Sequence, residues 1–210
     1  MGNTLDYSVL IAFSLATATL AIAPGPDNIY VLVQSISNGK KYGLATVAGL
    51  MSGCLVHTSL LAFGVSALIR NTPSLFLGIK VFGAVYLLYL AYQVFKSDGD
   101  IYFDNAEKTD KKLITLYRQG FVMNVLNPKV TIFFLAFFPG FLFSKELDNV
   151  VQFYVLGLLF ILVSSFVFGA IAILSGSIGT FLRQHQKTGH YLKWLQIIVF
   201  VCLALYLILG

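Results

Sequence analysis

Apolar residues run along this chain in long blocks separated by short polar ones, the pattern of a polypeptide that crosses hydrocarbon repeatedly. The blocks cover approximately residues 5–37 (interrupted), 42–69, 74–95, 119–143, 150–175 and 192–209. A helix rises 1.5 Å per residue, so about 20 apolar residues cross a hydrocarbon core of roughly 30 Å. The blocks predict an all-α integral membrane protein with six transmembrane helices in a single transmembrane domain. Its halves are 5–95 and 119–210, joined by a polar, nearly neutral cytoplasmic loop at 96–118.

Prolines interrupt this pattern where each half begins. Ala23-Pro24-Gly25-Pro26-Asp27-Asn28 breaks the first block, and Asn127-Pro128-Lys129 breaks the fourth. Proline removes a backbone donor and clashes with the preceding turn. In a bilayer the freed groups must then be met by protein, water or ligand. If Pro26 opens a new half-helix, Asp27 and Asn28 lie in its first turn, where an anion is favoured. At the second break Asn127 is the expected cap, Pro128 the first helical residue, and Lys129 an ammonium beside a helix start. One acid and one base at two broken helices could hold the two ends of a zwitterion; alternatively the prolines only kink the helices, and Lys129 snorkels or pairs permanently with Asp27.

Three helices per half would place the halves in opposite orientations, the inverted-repeat logic of many secondary transporters. The third helices align loosely at one offset, Lys80 with Lys193 and Leu90-Ala91 with Leu203-Ala204. Among other polar groups, His57 sits near the middle of the second span, where an ionisable group is a proton-relay candidate. Lys80 is close enough to a helix end to snorkel. Asn124, Ser164 and Ser165 are uncharged groups that either line a cavity or bond a neighbouring helix. Ala45, Gly49 and Gly53 form a small-residue stripe suited to close helix packing.

Composition agrees with the pattern: 58% of the 210 residues are hydrophobic and 11% charged, against roughly 45–50% and 25% in soluble domains. The net charge of +5 changes meaning once the charges are placed. Loops after helices 1, 3 and 5 hold ten Lys and Arg, and those after helices 2 and 4 hold Arg70 and Lys145 alone. By the positive-inside rule the ten face the cytoplasm, and both termini lie outside. The charge is therefore an orientation signal and calls for no nucleic acid. Ala21-Ile22-Ala23 has the small-x-small look of a signal-peptide end, but Asp6 precedes it, no Lys or Arg does, and Pro24 follows, so 5–23 reads as a retained helix.

Enzyme signatures are nearly absent. Ser37-Asn38-Gly39-Lys40 fits S-x-x-K without its companion motifs, and there is no phosphate loop, no H-E-x-x-H and no cysteine pair at metal spacing. Neither a catalytic residue, a metal nor a cofactor is expected. Cys54 and Cys202 sit inside apolar blocks, where cysteine acts as a small buried hydrophobe. A thiol-relay redox protein would need them placed to exchange at the breaks; a non-transporting partner subunit is a further alternative.

Several motifs together resemble the lysine exporter superfamily, in its homoserine and threonine exporter (LysE/RhtB) branch. They are Ala23-Pro24-Gly25-Pro26-Asp27-Asn28, Asn38-Gly39-Lys40-Lys41 leading to His57, Leu77-Gly78-Ile79-Lys80 through Gly83-Ala84-Val85-Tyr86-Leu87-Leu88-Tyr89-Leu90, and Asn124-Val125-Leu126-Asn127-Pro128-Lys129 with Phe133-Phe134 and Phe138-Pro139. The resemblance implies amino-acid efflux across a bacterial inner membrane, driven by protons, by a protein embedded in lipid as a monomer or homo-oligomer. Basic-amino-acid members typically carry glutamine where this chain has Asp27, so it implies small neutral substrates such as threonine, homoserine or leucine, with basic amino acids as the alternative. Gly140 departs from the glutamine expected after Pro139.

Overall fold

The computed structural model describes residues 6–65, 73–97, 112–185 and 188–209. Arg70, Lys108, Lys111, Lys187 and the acids of the connector, Asp98, Asp100, Asp104, Glu107 and Asp110, lie outside the described residues. The described residues are helical almost throughout, and no strand occurs among them. The helices are α1 (Tyr7–Ile22), α2 (Pro26–Asn38), α3 (Lys40–Leu60), α4 (Pro73–Lys96), α5 (Leu113–Val125), α6 (Pro128–Ile132), α7 (Asn149–Ile173), α8 (Ser175–Gln184) and α9 (Thr188–Leu209). A wider π turn, Leu61–Val65, extends α3, and a second, Phe133–Phe137, extends α6 before a 3₁₀ turn at Phe138–Phe141.

Four helices are long and apolar enough to cross a membrane unbroken, α3 with its π extension, α4, α7 and α9, and two bent pairs bring the number to six if each pair is one span. The bends are 60° between α1 and α2 and 49° between α5 and the helix that starts at Pro128. Both fall where the prolines predict them, with Pro26 and Pro128 opening the new helices. Two features differ from the sequence reading. The fourth span begins at Leu113, inside the expected 96–118 loop, and α8 occupies part of the expected loop between the last two spans.

The core is aromatic and grows from the segment after the second break. Phe133, Phe134, Phe138, Phe153 and Phe200 are fully buried. Phe13 of α1 meets the rings of Phe138 and Phe141 edge-on at 4.9 and 5.3 Å, which draws α1 into the same cluster. Large side chains such as Leu15, Phe82, Leu162 and Phe166 stay exposed; on spanning helices that surface belongs to lipid. Cys202 shares it, in contrast to the buried position expected, whereas Cys54 is buried.

Helices α3 and α5 cross almost in contact. A methyl group on Gly49 would lie 2.0 Å from the carbonyl oxygen of Tyr117, and one on Gly120 would lie 2.3 Å from that of Thr46. The small-residue stripe on α3 therefore meets a glycine on α5, and the approach brings the end of α5, with its break, against α3. Buried Gln152 fixes the far end of the second broken segment: its amide oxygen accepts from Phe143 and Ser144 N–H, and its amide nitrogen donates to the Ser144 and Leu147 carbonyls.

Candidate functional site

A helix that stops leaves its last carbonyls without amide partners. The Ala23 N–H still reaches the Thr19 carbonyl at 3.0 Å, and the prolines then end α1. Its orphan oxygens are met by side chains. Asn28 Nδ2 donates to the Ala21 carbonyl at 2.7 Å, and Lys129 Nζ donates to the carbonyls of Leu20 and Ala23, each at 3.4 Å. An ammonium there also suits the negative end of the α1 dipole. Helix α2 restarts with Gly25 as N-cap, in extended backbone and with no side-chain cap, so its first-turn amides are left for water or ligand.

The second break is closed differently. Asn127 Oδ1 accepts from the Lys129 N–H at 3.0 Å and so caps α6. Its Nδ2 donates to Asp27 Oδ2 at 2.8 Å. One amide thus serves its own helix and holds the acid of the other break. The Asn124 carbonyl at the end of α5 accepts from the Asn127 N–H at 3.0 Å, and His57 Nε2 lies 3.1 Å from it. A carbonyl only accepts, so that imidazole nitrogen carries the proton. The Cys54 thiol contacts Asn124 Oδ1 at 3.6 Å.

These groups enclose a cavity. Its polar wall is Asp27, Asn28, Asn124, Asn127 and Lys129, with Gly25 and Pro26 beside them; Leu50, Met51 and Cys54 of α3 and Phe160, Ser164 and Phe168 of α7 form most of the rest. Its volume is about 40 Å³ by the measure in which one water takes roughly 10–15 Å³. The space holds about three waters, so an organic solute enters only if the halves part. Asp27 is the acid of this lining and Lys129 the base. They attract each other through space without direct contact: Asp27 is bonded to Asn127, and Lys129 to the α1 carbonyls, with its ammonium 5.3 Å from the centre of the Phe200 ring.

Of the residues singled out from sequence, those of the two breaks, Asn124 and Ser164 converge here. Pro24 and Pro128 set the backbone without lining the cavity. His57 stands behind Asn124, buried against Phe134, and Lys80 is on α4, which contributes nothing to the lining. Sequence reasoning missed Phe160 and Phe168, which flank Ser164 at four-residue spacing on one face of α7.

A family model described as LysE type translocator matches residues 18–210. The chain belongs to the LysE type translocator family. It is a multi-pass membrane transporter and not an enzyme. Two relatives of this translocator are each 28% identical to it, and each alignment covers 85% of this chain and 86% of the relative. One, from Vibrio cholerae serotype O1, is described as an uncharacterized membrane protein; the other is the homoserine/homoserine lactone efflux protein of Salmonella typhimurium. No solved structure matches the translocator.

Proposed function

We infer that this translocator exports small neutral amino acids across a bacterial inner membrane, coupled to proton entry and without a cofactor. The observation that carries the reading is the meeting of the two helix breaks: Asp27 and Lys129 face one cavity with different hydrogen-bond partners and no direct contact between them. A zwitterion offers each of them a group of opposite charge in direct contact. Its ammonium replaces that of Lys129 on the α1 carbonyls and approaches Asp27, and its carboxylate takes Lys129 and the uncapped amides of α2. The Lys129 contacts, at 3.4 Å, are longer than the 2.7–3.2 Å of good hydrogen bonds, so the exchange sacrifices little. A cationic side chain on the substrate would need a second acid, which the lining lacks; this favours neutral amino acids over basic ones, in keeping with the named activity of the Salmonella relative.

Protonation of Asp27 would remove the charge that holds the ammonium in a low-dielectric site, and so couple proton entry to substrate exit. The packing supports two inverted three-helix halves rocking about the cavity. The second helix of each half, α3 or α7, packs against the broken helix of the other half, and the third helices, α4 and α9, pack against each other. With the basic loops in the cytoplasm, both termini lie outside.

The test is counterflow in proteoliposomes of the purified protein, preloaded in turn with homoserine, threonine, leucine, lysine and arginine. Exchange of the neutral substrates, with lysine and arginine silent, is expected. Silence with every amino acid would overturn the reading in favour of a non-transporting subunit.

A further inference from the structure

Hydroxyls in membrane helices usually satisfy themselves on the carbonyl one turn back. Ser14, Thr19, Ser35, Thr46, Ser52 and Thr58 all do so here, at 2.7–3.1 Å. Ser164 does not. It is 1% exposed, and its Oγ has no hydrogen-bond partner among the described residues. It lies in the cavity wall opposite in kind to the helix breaks, between Phe160 and Phe168, and is the polar group of the α7 contribution.

An orphan buried hydroxyl costs free energy unless something meets it, and a cavity with room for a few waters is where it would be met. The walls divide the labour. Charged and amide groups come from the breaks, where the two ends of an amino acid are held in the reading proposed above, and on which this inference rests. The α7 wall then faces the substrate side chain with two phenyl rings and one hydroxyl. Such a wall accepts a short side chain that is mostly apolar and carries one hydrogen-bonding group. We propose that Ser164 Oγ hydrogen-bonds the side-chain hydroxyl of the substrate and makes this translocator selective for hydroxylated amino acids over their apolar isosteres.

The experiment compares homoserine with norvaline, which puts a methyl group where homoserine has its hydroxyl. Apparent affinities are measured by counterflow for the wild-type protein, Ser164→Ala and Ser164→Thr. One net hydrogen bond corresponds to a preference of about threefold to tenfold. Expected are that preference for homoserine in the wild type, its loss in Ser164→Ala with norvaline unimpaired, and its retention in Ser164→Thr. The melting temperature of substrate-free Ser164→Ala should not fall, because no protein hydrogen bond is removed. Equal wild-type affinity for the pair, a preference that survives Ser164→Ala, a parallel loss for both substrates, or a lowered melting temperature each overturns the proposal. All of these leave amino-acid export standing; absence of counterflow with any amino acid would remove both together.

Discussion

At the first break, between Ile22 and Pro26, three carbonyls at the end of α1 are met by side chains, two of them by Lys129 from more than a hundred residues away. At the second, between Val125 and Pro128, Asn127 caps the new helix from within, and the Asn124 carbonyl takes His57 from the neighbouring α3. The first break is thus satisfied chiefly by the second, while the second is nearly self-sufficient. Unequal closure of this kind suits a transporter. A site whose polar groups were all locally satisfied would have nothing to offer a substrate, and one with none satisfied would not survive in a bilayer. Here the loosest contacts, those of Lys129, lie where the substrate is proposed to bind.

The comparison breaks most completely if the second break is displaced as a whole. Gly49→Ala would drive a methyl group to 2.0 Å from the Tyr117 carbonyl oxygen, backbone that cannot rotate away. Overpacking of this type costs about 1–3 kcal/mol or more, so folded protein on size-exclusion chromatography should fall steeply. Gly169→Ala, with nothing within 4 Å of the added methyl, is the matching control and should leave yield unchanged.

Next in size are the two charges. Lys129→Met strips the α1 carbonyls of their ammonium and removes the proposed carboxylate ligand. A charge-assisted hydrogen bond is worth roughly 1.5–3 kcal/mol, so apparent substrate affinity should drop by about one to two orders of magnitude in both counterflow and net export. Asp27→Asn keeps shape and hydrogen bonding but not the titratable group. It should lower proton-driven export by about tenfold or more and spare exchange. Since the two side chains are bonded to different partners, the losses in the double variant should accumulate; recovery of export would instead reveal a buried charge pair.

Much of this was legible in the sequence because the signals are local. Apolar blocks place the spans, and Pro26 and Pro128 open helices for reasons confined to their own rings. What was hidden depends on which faces meet. In α7 nearly every residue from Val150 to Ile173 is apolar, so no amphipathic period marks the inward side; the hydroxyls of Ser164 and Ser165 stand out, but Phe160 and Phe168 cannot be told from their neighbours. The partner of Lys129 was hidden too: sequence offers Asp27 or a substrate carboxylate, whereas the ammonium serves backbone carbonyls, which no residue letter announces. Helix α8 escaped notice because Ser175-Gly176-Ser177 reads as a turn, and its apolar residues Ile178 and Phe181 recur only briefly.

Asn127 links the breaks, and substitution can separate its two tasks. Asn127→Ser retains a capping oxygen for α6 but loses the amide that reaches Asp27, while Asn127→Ala loses both. A lost cap costs about 0.5–2 kcal/mol. Thermal unfolding should therefore rank wild type above Ser above Ala, yet export should fall nearly as far in Ser as in Ala, because Asp27 is released in both. Equal activity of Ser and wild type would show that the Asn127–Asp27 bond does not matter to transport.

The smallest effect is expected at His57, and it decides whether the second break borrows a proton carrier or only a donor. The imidazole contributes Nε2–H to the Asn124 carbonyl from a position behind the cavity lining. Glutamine places an amide N–H at a similar reach and does not titrate in the physiological range. His57→Gln should therefore export at close to the wild-type rate, with the same dependence on external pH. His57→Leu leaves the carbonyl with the Asn127 N–H alone and should lose about 1 kcal/mol of stability, a few degrees in melting temperature. If His57→Gln abolished proton-driven export while keeping exchange, His57 would be part of the proton path; if it matches wild type, His57 holds the second break in shape and Asp27 remains the titrating group of the site.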